Sequence, residues 1–171
     1  MMHQKVFDSL RFPIPVELVS FQDYSTATMF VDQNVPNTIY YKAKDWRFPM
    51  SALQYDRFVY NLHHEYMHLL QQQQGVAENL VRTESDSPHS NYSAFNKAEE
   101  EAEAFALLMT RSAGCTKFYS WNCVDKVRWI FKMHKILEST YSISLPQPFW
   151  AEQKYQEYLT YNTPPPPPVF K

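Results

Sequence analysis

The residues with the clearest chemical potential are His64, Glu65 and His68, which form the pattern His-Glu-x-x-His. On an α-helix, positions four apart are offset by roughly 40° and 6 Å, so both imidazoles point into one small volume. Two neutral imidazole nitrogens suit a tetrahedral Zn²⁺ ion. Glu65 projects beside that volume, where its carboxylate could take a proton from a water molecule on the zinc. The alternative is that two surface or cleft histidines happen to fall one helical turn apart.

A catalytic zinc site of this kind needs a third protein ligand, and an acidic run at positions 99, 100, 101 and 103 is the place to look. Spacings of three and four put Glu99 and Glu103 on one side of a predicted helix, beside its apolar face. Glu99 is the preferred third ligand, and Glu103 is placed to accept a hydrogen bond from a ligating histidine. Glu100 is an alternative ligand or supporting residue. The acidic run could also serve to meet the helix dipole, with Asn96 and Glu99 forming a cap.

The motif needs a rigid helix, and its surroundings predict one from about residue 52 to Gly75. Ser51-Ala52-Leu53-Gln54 is a capping-box sequence, which predicts the start of the helix. Gly75 stands where a helix-ending residue belongs. The predicted apolar face comprises Leu53, Val59, Leu62, Tyr66, Leu69 and Leu70. The polar flank comprises Arg57, Asn61, His64, His68, Gln71 and Gln72.

Three segments before this helix have the β-branched and aromatic alternation of strands, at 16–21, 28–31 and 38–43, and predict a small antiparallel sheet. Further helices are predicted at about 94–113 and 124–138, because apolar residues recur there at three- and four-residue spacing. A shorter one is predicted from Pro148 to Tyr161. The segment 82–92 has no apolar period and predicts a connection. The predicted fold class is therefore α+β, with a small N-terminal sheet followed by three to four helices.

Length and composition set the remaining bounds. A chain of 171 residues predicts one domain with a single core. The formal net charge of −2 provides no basic field, so nucleic acid is not an expected partner. No segment approaches the ~20 apolar residues of a spanning helix and the start has no signal-like run, so we expect no membrane partner and a cytoplasmic or otherwise intracellular location. Cys115 and Cys123 are too few and wrongly spaced for a cysteine zinc site.

The combination of His64-Glu65-x-x-His68 with Glu99-x-Glu101-Ala102-x-x-Phe105 after a loop resembles the gluzincin metallopeptidases. The pattern is similar to that of the small ImmA/IrrE-type and Ste24-type families, and it covers about residues 37–112. The resemblance implies a zincin-like fold, Zn²⁺ as cofactor, Glu99 as third ligand and Glu103 in the position of a supporting aspartate. It also implies that the strand before the metal helix, about 38–44, lies at the sheet edge, where an extended peptide can add as a further strand.

Other polar residues have weaker assignments. His63 is rotated by about 100° from His64, so we expect a solvated neighbour rather than a ligand. Tyr92, His134 and His89 are candidates for the group that stabilises an oxyanion, although each could equally be structural. The four glutamines after the motif extend the helix with good helix formers. The run Pro164–Pro168 predicts an extended tail that could dock in an aromatic-lined groove of a protein partner.

These observations predict a single zincin-like metallopeptidase domain over 1–162 and a proline-rich tail over 163–171. The predicted function is that of a zinc-dependent peptidase in which Glu65 activates a zinc-bound water to hydrolyse a peptide bond of a peptide or protein substrate. The alternative is a structural or regulatory protein on the same scaffold, in which zinc only holds the helices together. Glu65 discriminates between them, because a purely structural site has no need of a base beside an open coordination position.

Overall fold

The computed structural model describes residues 15–22, 27–46, 49–77, 96–110 and 121–144, with only the backbone described over 121–128. The described elements are strands β1 (Glu17–Phe21), β2 (Met29–Val31) and β3 (Thr38–Lys42), and helices α1 (Ala52–Gln74), α2 (Lys97–Thr110) and α3 (Trp121–Ser139). They confirm the α+β class, with a small sheet preceding the helices. The predicted connection 82–92, the helix 148–161 and the proline tail lie outside the described residues.

The sheet is mixed, with strand order β1-β3-β2. β1 runs parallel to β3, with Leu18 opposite Ile39, whereas β2 runs antiparallel to β3, with Phe30 opposite Tyr40. The prediction of an antiparallel sheet was therefore wrong for β1, because hydrophobic alternation gives strand faces but no strand direction. The expectation that the strand before the metal helix lies at the edge was also wrong. β3 is central, and β2 is the edge strand on one side.

Helix α1 is fixed at both ends as its sequence predicts. The Ser51 hydroxyl accepts from the Gln54 backbone N–H at 3.3 Å, and the Gln54 side chain accepts from the Ser51 backbone N–H at 3.1 Å. Gly75 has φ +83°, where a side chain is disfavoured, and its N–H donates to the Gln71 carbonyl at 2.8 Å. Leu53 is 62% exposed, which corrects its place on the apolar face, because this first turn extends beyond the packed core.

Helix α1 packs against the sheet on one side and against α2 on another, and α3 packs against α2. Small residues of α2, Ala102 and Ala106 among them, are fully buried and allow close helix approach. The core also contains Trp129 and Met133 of α3. The largest fully buried side chains of the described residues are Trp129, Tyr66, Phe58, Phe105, Ile39, Leu62, Met67, Leu69, Leu70, Leu107, Leu108 and Ile130.

Because α2 covers the middle of the flank of α1 that carries the histidines, His64 and Gln71 are buried, whereas Arg57 and Gln72 of the same flank are exposed. No helix in the described part of the chain is long and apolar enough to cross a membrane. The packing of α2 on α1 is thus what brings the acidic run of residues 99–103 to the His-Glu-x-x-His motif.

Candidate metal centre

Three donor atoms from two helices converge at one point. His64 Nε2 lies 3.0 Å from Glu99 Oε2, His68 Nε2 lies 3.5 Å from the same oxygen, and the two imidazole Nε2 atoms are 3.2 Å apart. His64, His68 and Glu99 are the one group of three potential ligands that the described residues bring close enough to hold a metal ion. The two histidines come from α1 and the carboxylate comes from the first turn of α2.

The triangle of donor atoms has the size that a first-row metal ion requires. Two donors held about 2.05 Å from a tetrahedral Zn²⁺ ion are separated by roughly 3.3 Å, close to all three observed edges. Octahedral coordination at similar bond lengths gives roughly 3.0 Å, so the geometry also accommodates an iron ion held by two histidines and one carboxylate. Two imidazoles favour such metals over magnesium or calcium, which prefer oxygen ligands. The donor set therefore fits zinc.

The outer nitrogen of His64 is bound by a carboxylate. His64 Nδ1 lies 3.1 Å from Glu103 Oε1, and the Tyr60 hydroxyl donates to Glu103 Oε2 at 2.7 Å. This arrangement directs the other nitrogen of His64 towards Glu99 and His68, as a carboxylate behind a metal-binding histidine commonly does. Burial and the neighbouring Glu103 raise the pKa of the Tyr60 hydroxyl, so it remains a donor over the whole ordinary pH range.

The outer nitrogen of His68 is bound by an amide. His68 Nδ1 lies 2.8 Å from Gln71 Oε1, while Gln71 Nε2 donates to the Ala98 carbonyl at 3.0 Å and to Glu101 Oε2 at 2.9 Å. Both partners of the amide nitrogen are acceptors, so the amide oxygen must face His68. His68 Nδ1 then carries hydrogen, and its Nε2 presents a lone pair to the site.

Glu101 holds Gln71 in this position. The residue is only 2% exposed. Besides the hydrogen bond from Gln71, its carboxylate receives hydrogen bonds from the Ala77 N–H and the Tyr141 hydroxyl, each at 2.8 Å. Burial raises the pKa of Glu101, which the three donors partly counteract. The Tyr141 hydroxyl also lies 2.9 Å from the Gly75 carbonyl. The end of α1, the start of α2 and the end of α3 are therefore connected behind His68.

Burial and close contacts shift the pKa values of two of the three donor residues in opposite directions. Burial by itself would lower the pKa of His64, but hydrogen bonds to Glu103 and Glu99 outweigh it and raise the pKa to about 10. The hydrogen bond from His64, together with the neighbouring His68, lowers the pKa of Glu99 to about 2. Without a metal, a proton on His64 thus takes the place of the cation between the carboxylates. A metal ion that binds there must displace that proton.

Glu65 lies beside the three donors and is connected to the sheet. Burial raises the pKa of its carboxyl, an effect that the neighbouring His64 and His68 oppose. The backbone N–H of Val31 in β2 donates a hydrogen bond to this carboxylate. A carboxylate with a raised pKa next to a candidate metal point has the properties of a general base.

A cavity of about 850 Å³ opens on this site. Glu65, the three donor residues and Glu103 line it on the helical side, and residues 27–31 of β2 and its approach line the other wall. The Lys42 N–H donates to the Thr28 carbonyl at 2.9 Å, and Phe30 pairs with Tyr40. The backbone N–H and C=O groups of residues 28 and 30 therefore point towards β3. Met29 and Val31 therefore direct their backbone groups to the outer edge of the sheet. This edge, and not β3, borders the cleft.

Several residues singled out in the sequence are not brought to the donor triangle. His63 is buried rather than solvated: its Nδ1 lies 2.7 Å from the Val59 carbonyl, its ring is near Phe105, and burial lowers its pKa to about 4. The reason is that α2 covers the side of α1 on which His63 lies. Glu100 is buried outside the triangle.

The candidates for oxyanion stabilisation also lie away from the site or cannot be located. His134 is fully buried on α3, with Nε2 3.5 Å from Glu138 Oε1, and it is not among the residues that line the cavity. The structure therefore does not place His134 at the candidate metal centre. His89 and Tyr92 lie outside the described residues.

Sequence reasoning missed two functional features of the site. Gln71 was interpreted as helix extension, although its position three residues after His68 on the same helix would have allowed the contact. Glu101 was assigned no role of its own, yet it anchors Gln71. Both roles depend on how α2 packs on α1, which no local pattern encodes.

No protein-family model matches this chain, and neither a curated protein nor a solved structure matches it. The likeness to gluzincin metallopeptidases therefore remains a likeness of motifs.

Proposed function

We propose that this protein is a zinc-dependent peptidase with a zincin-like fold. The observation that carries the proposal is the triangle formed by His64 Nε2, His68 Nε2 and Glu99 Oε2, with edges of 3.0 to 3.5 Å, beside the carboxylate of Glu65. Two imidazoles, one carboxylate ligand and an adjacent base are the parts that metal-assisted hydrolysis needs. His64, His68 and Glu99 would hold the zinc.

In this proposal the residues around the zinc have separate roles in hydrolysis. Bound zinc lowers the pKa of water and polarises a carbonyl oxygen. Glu65 accepts the proton of the attacking water at its carboxylate and delivers it to the amide nitrogen that leaves. Its raised pKa favours both steps, since a base must hold the proton before releasing it. Glu103 and Gln71 keep the imidazole rings aimed at the site.

The outer edge of β2 is the proposed substrate shelf. An extended peptide that pairs with the backbone groups of Met29 and with the carbonyl of Val31 would lie along the cavity, beside Glu65. This replaces β3, which the sheet order excludes because both of its edges are already paired. The volume of about 850 Å³ is enough for several residues of an extended chain.

Membership of the gluzincin group is part of the same proposal. It is supported by the spacing of His64, Glu65 and His68, by a glutamate ligand on the next described helix, and by the carboxylate of Glu103 one turn later. The alternative of a non-catalytic metal site keeps the same three ligands but gives no role to Glu65. The half-buried carboxylate of Glu65 beside the donors favours the catalytic function over this alternative.

The first test is metal content. Protein purified without added chelator and dialysed against trace zinc should contain about one zinc per chain by mass spectrometry of the metals. Glu99→Gln should lose it, whereas Glu17→Gln, which alters an exposed carboxylate of β1, should not. Iron in place of zinc would point to the other chemistry that this donor set supports. An unaltered chain without bound metal under these conditions would end the proposal.

The second test is peptide hydrolysis. A mixture of peptides of varied sequence, incubated with the zinc-loaded protein, should yield cleavage products by mass spectrometry. Glu65→Gln should bind zinc normally but cleave at least about 100-fold more slowly, as expected for loss of a general base. Zinc binding without cleavage by the unaltered protein would favour the structural alternative.

A further inference from the structure

Two cavities among the described residues meet at the start of β2. The cavity at the candidate metal centre shares Thr28 and Asn61 with a smaller cavity of about 320 Å³. The smaller cavity is completed by Trp46, Arg57 and Tyr60. A chain lying in the first cavity along β2 therefore reaches the second one when it passes Thr28.

The contacts between β2 and α1 give this path a direction. The Val31 N–H donates to Glu65, and the next residue, Asp32, accepts from the Gln72 side chain at 3.4 Å through its carbonyl. The strand and the helix therefore run along the cleft in the same sense. One end of the cleft lies at Asp32 and Gln72, and the other leads to Arg57.

The two ends differ in charge. The described residues that line the metal cavity include Glu65, Glu99 and Glu103 but neither lysine nor arginine. Arg57 stands in the adjoining cavity with an exposed side chain, and within the described residues no ion pair of its guanidinium occurs. The three carboxylates would repel an anionic group on a bound chain, whereas Arg57, the one lysine or arginine that lines the two cavities among the described residues, could receive it.

We propose that Arg57 forms a subsite for a carboxylate of the substrate, so that the protein selects peptides with an acidic side chain or a free C-terminus at that end of the cleft. This inference rests on the proposed peptidase function and specifies its substrate class. The planar guanidinium can bind a carboxylate through two parallel hydrogen bonds, and Asn61 offers a polar neighbour.

The helix fixes how far this subsite lies from the reacting centre. At 1.5 Å per residue, Arg57 precedes Glu65 by about 12 Å along the α1 axis. An extended peptide covers that distance with about four residues, or three if the long arginine side chain folds towards the site. Antiparallel pairing of the peptide with β2 places the carboxylate on the C-terminal side of the bond that is cleaved.

The expected effect is modest because Arg57 is exposed. Ion pairs at exposed sites change affinity by about two- to fivefold, and salt weakens them further. We expect kcat/KM to favour glutamate over glutamine at the Arg57 subsite by this factor at low ionic strength. An acidic residue at the Asp32 end should give no such gain, because no cation lines that end among the described residues.

The test starts from one peptide that the zinc-loaded protein cleaves. A series with glutamate, glutamine or lysine at each position within five residues of the cleaved bond is compared for the unaltered protein and for Arg57→Glu. The proposal expects a glutamate preference confined to one or two neighbouring positions, three or four residues from the bond. In Arg57→Glu the preference at those positions should change to lysine.

Lys135→Glu provides the control, because Lys135 is an exposed cation of α3 that lines neither cavity. It should keep the original glutamate preference. A cleaved peptide series without charge preference, or with a preference that Arg57→Glu leaves unchanged, would overturn the subsite and leave the peptidase function intact. Absence of cleavage in every peptide would overturn both.

Discussion

The two histidines of the candidate centre stand one turn apart on the same helix, yet their outer nitrogens meet different partners. His64 has a carboxylate behind it, Glu103, whose other oxygen receives the Tyr60 hydroxyl. His68 has a neutral amide behind it, Gln71, which is held in turn by Glu101. The group behind His64 is thus an anion that one hydroxyl holds. The group behind His68 is a neutral amide, and its contacts connect three helices.

Helical spacing therefore brings the two candidate ligands together, whereas the neighbouring helix determines which groups contact their outer nitrogens. A carboxylate behind His64 increases its basicity and favours the protonated ring when no metal is present. An amide behind His68 fixes the ring orientation without adding a charge. The two supports should therefore respond differently to pH and to substitution.

The largest expected effect is that of pH, which acts through the carboxylate support. Because the pKa of His64 is raised to about 10, its proton must leave before a metal ion can bind. From about pH 6.5 to 9 we expect zinc affinity to rise roughly tenfold per pH unit. Competition with a chelator of known affinity measures the slope, and calorimetry in two buffers of different ionisation enthalpy measures the released proton. An affinity independent of pH over this range would contradict the assignment.

The metal-free protein should show the opposite trend in stability. The folded-state pKa of His64 lies above its ordinary value of 6.5, so its stabilising contribution is complete below pH 6.5 and is lost as pH rises towards 10. For Glu99 the pKa falls from 4.5 to about 2, so its contribution is complete above pH 4.5 and is lost as pH falls through 2. Thermal unfolding of the chelator-treated protein across this pH range measures both the loss of stability at high pH and the loss at low pH.

The second effect in size is that of Glu103→Gln, which removes the charge of the first support and keeps its shape. The new amide can accept from His64 through its oxygen and donate to the Tyr60 oxygen, so the contacts persist without the anion. We expect zinc affinity to fall by about 10- to 100-fold. The number of protons released on zinc binding should also decrease, because His64 is less readily protonated without the neighbouring anion. Retained affinity with a normal proton count would contradict the role of Glu103.

The smallest effect expected is that of Gln71→Leu, which removes the second support. His68 then lacks its acceptor, and we expect zinc affinity to fall by about tenfold, at the lower end for such supporting residues. The visible spectrum of the cobalt-substituted protein should also change, which a mere loss of stability would not cause. Gln74→Leu, at an exposed glutamine of the same helix, is the matched control and should change neither property.

The sequence predicted what helical periodicity determines. The capping box, the glycine end of α1 and the convergence of His64 and His68 all follow from local spacing. Glu99 could be preferred on its helix face, although its competing interpretation as a cap partner was also correct in part. Its backbone N–H donates to the Asn96 side chain at 3.0 Å while its carboxylate meets the histidines. The two roles use different atoms of one residue.

The features that could not be predicted depend on contacts between distant segments. Strand alternation does not say that β3 lies between β1 and β2, so the wrong strand was assigned to the cleft. His63 is rotated by about 100° from His64 around α1, and this position is exposed to solvent only if no second helix covers it. Helix α2 covers that side and buries His63. The hydrogen bond between Gln71 and Glu101 likewise depends on the packing of α2 against α1.

The hydrogen bond from Gln71 to the Ala98 carbonyl has a consequence for the kinetics of metal exchange. The first turn of a helix is ordinarily the part that frays, since its N–H groups lack partners within the helix. In α2 this turn carries Glu99, and it is held by the Asn96 side chain at one point and by Gln71 at another. If Glu99 is the third ligand, as we propose, fraying of that turn would remove it from the ion. We therefore expect the lifetime of a bound ion to depend on the local unfolding of this single helical turn.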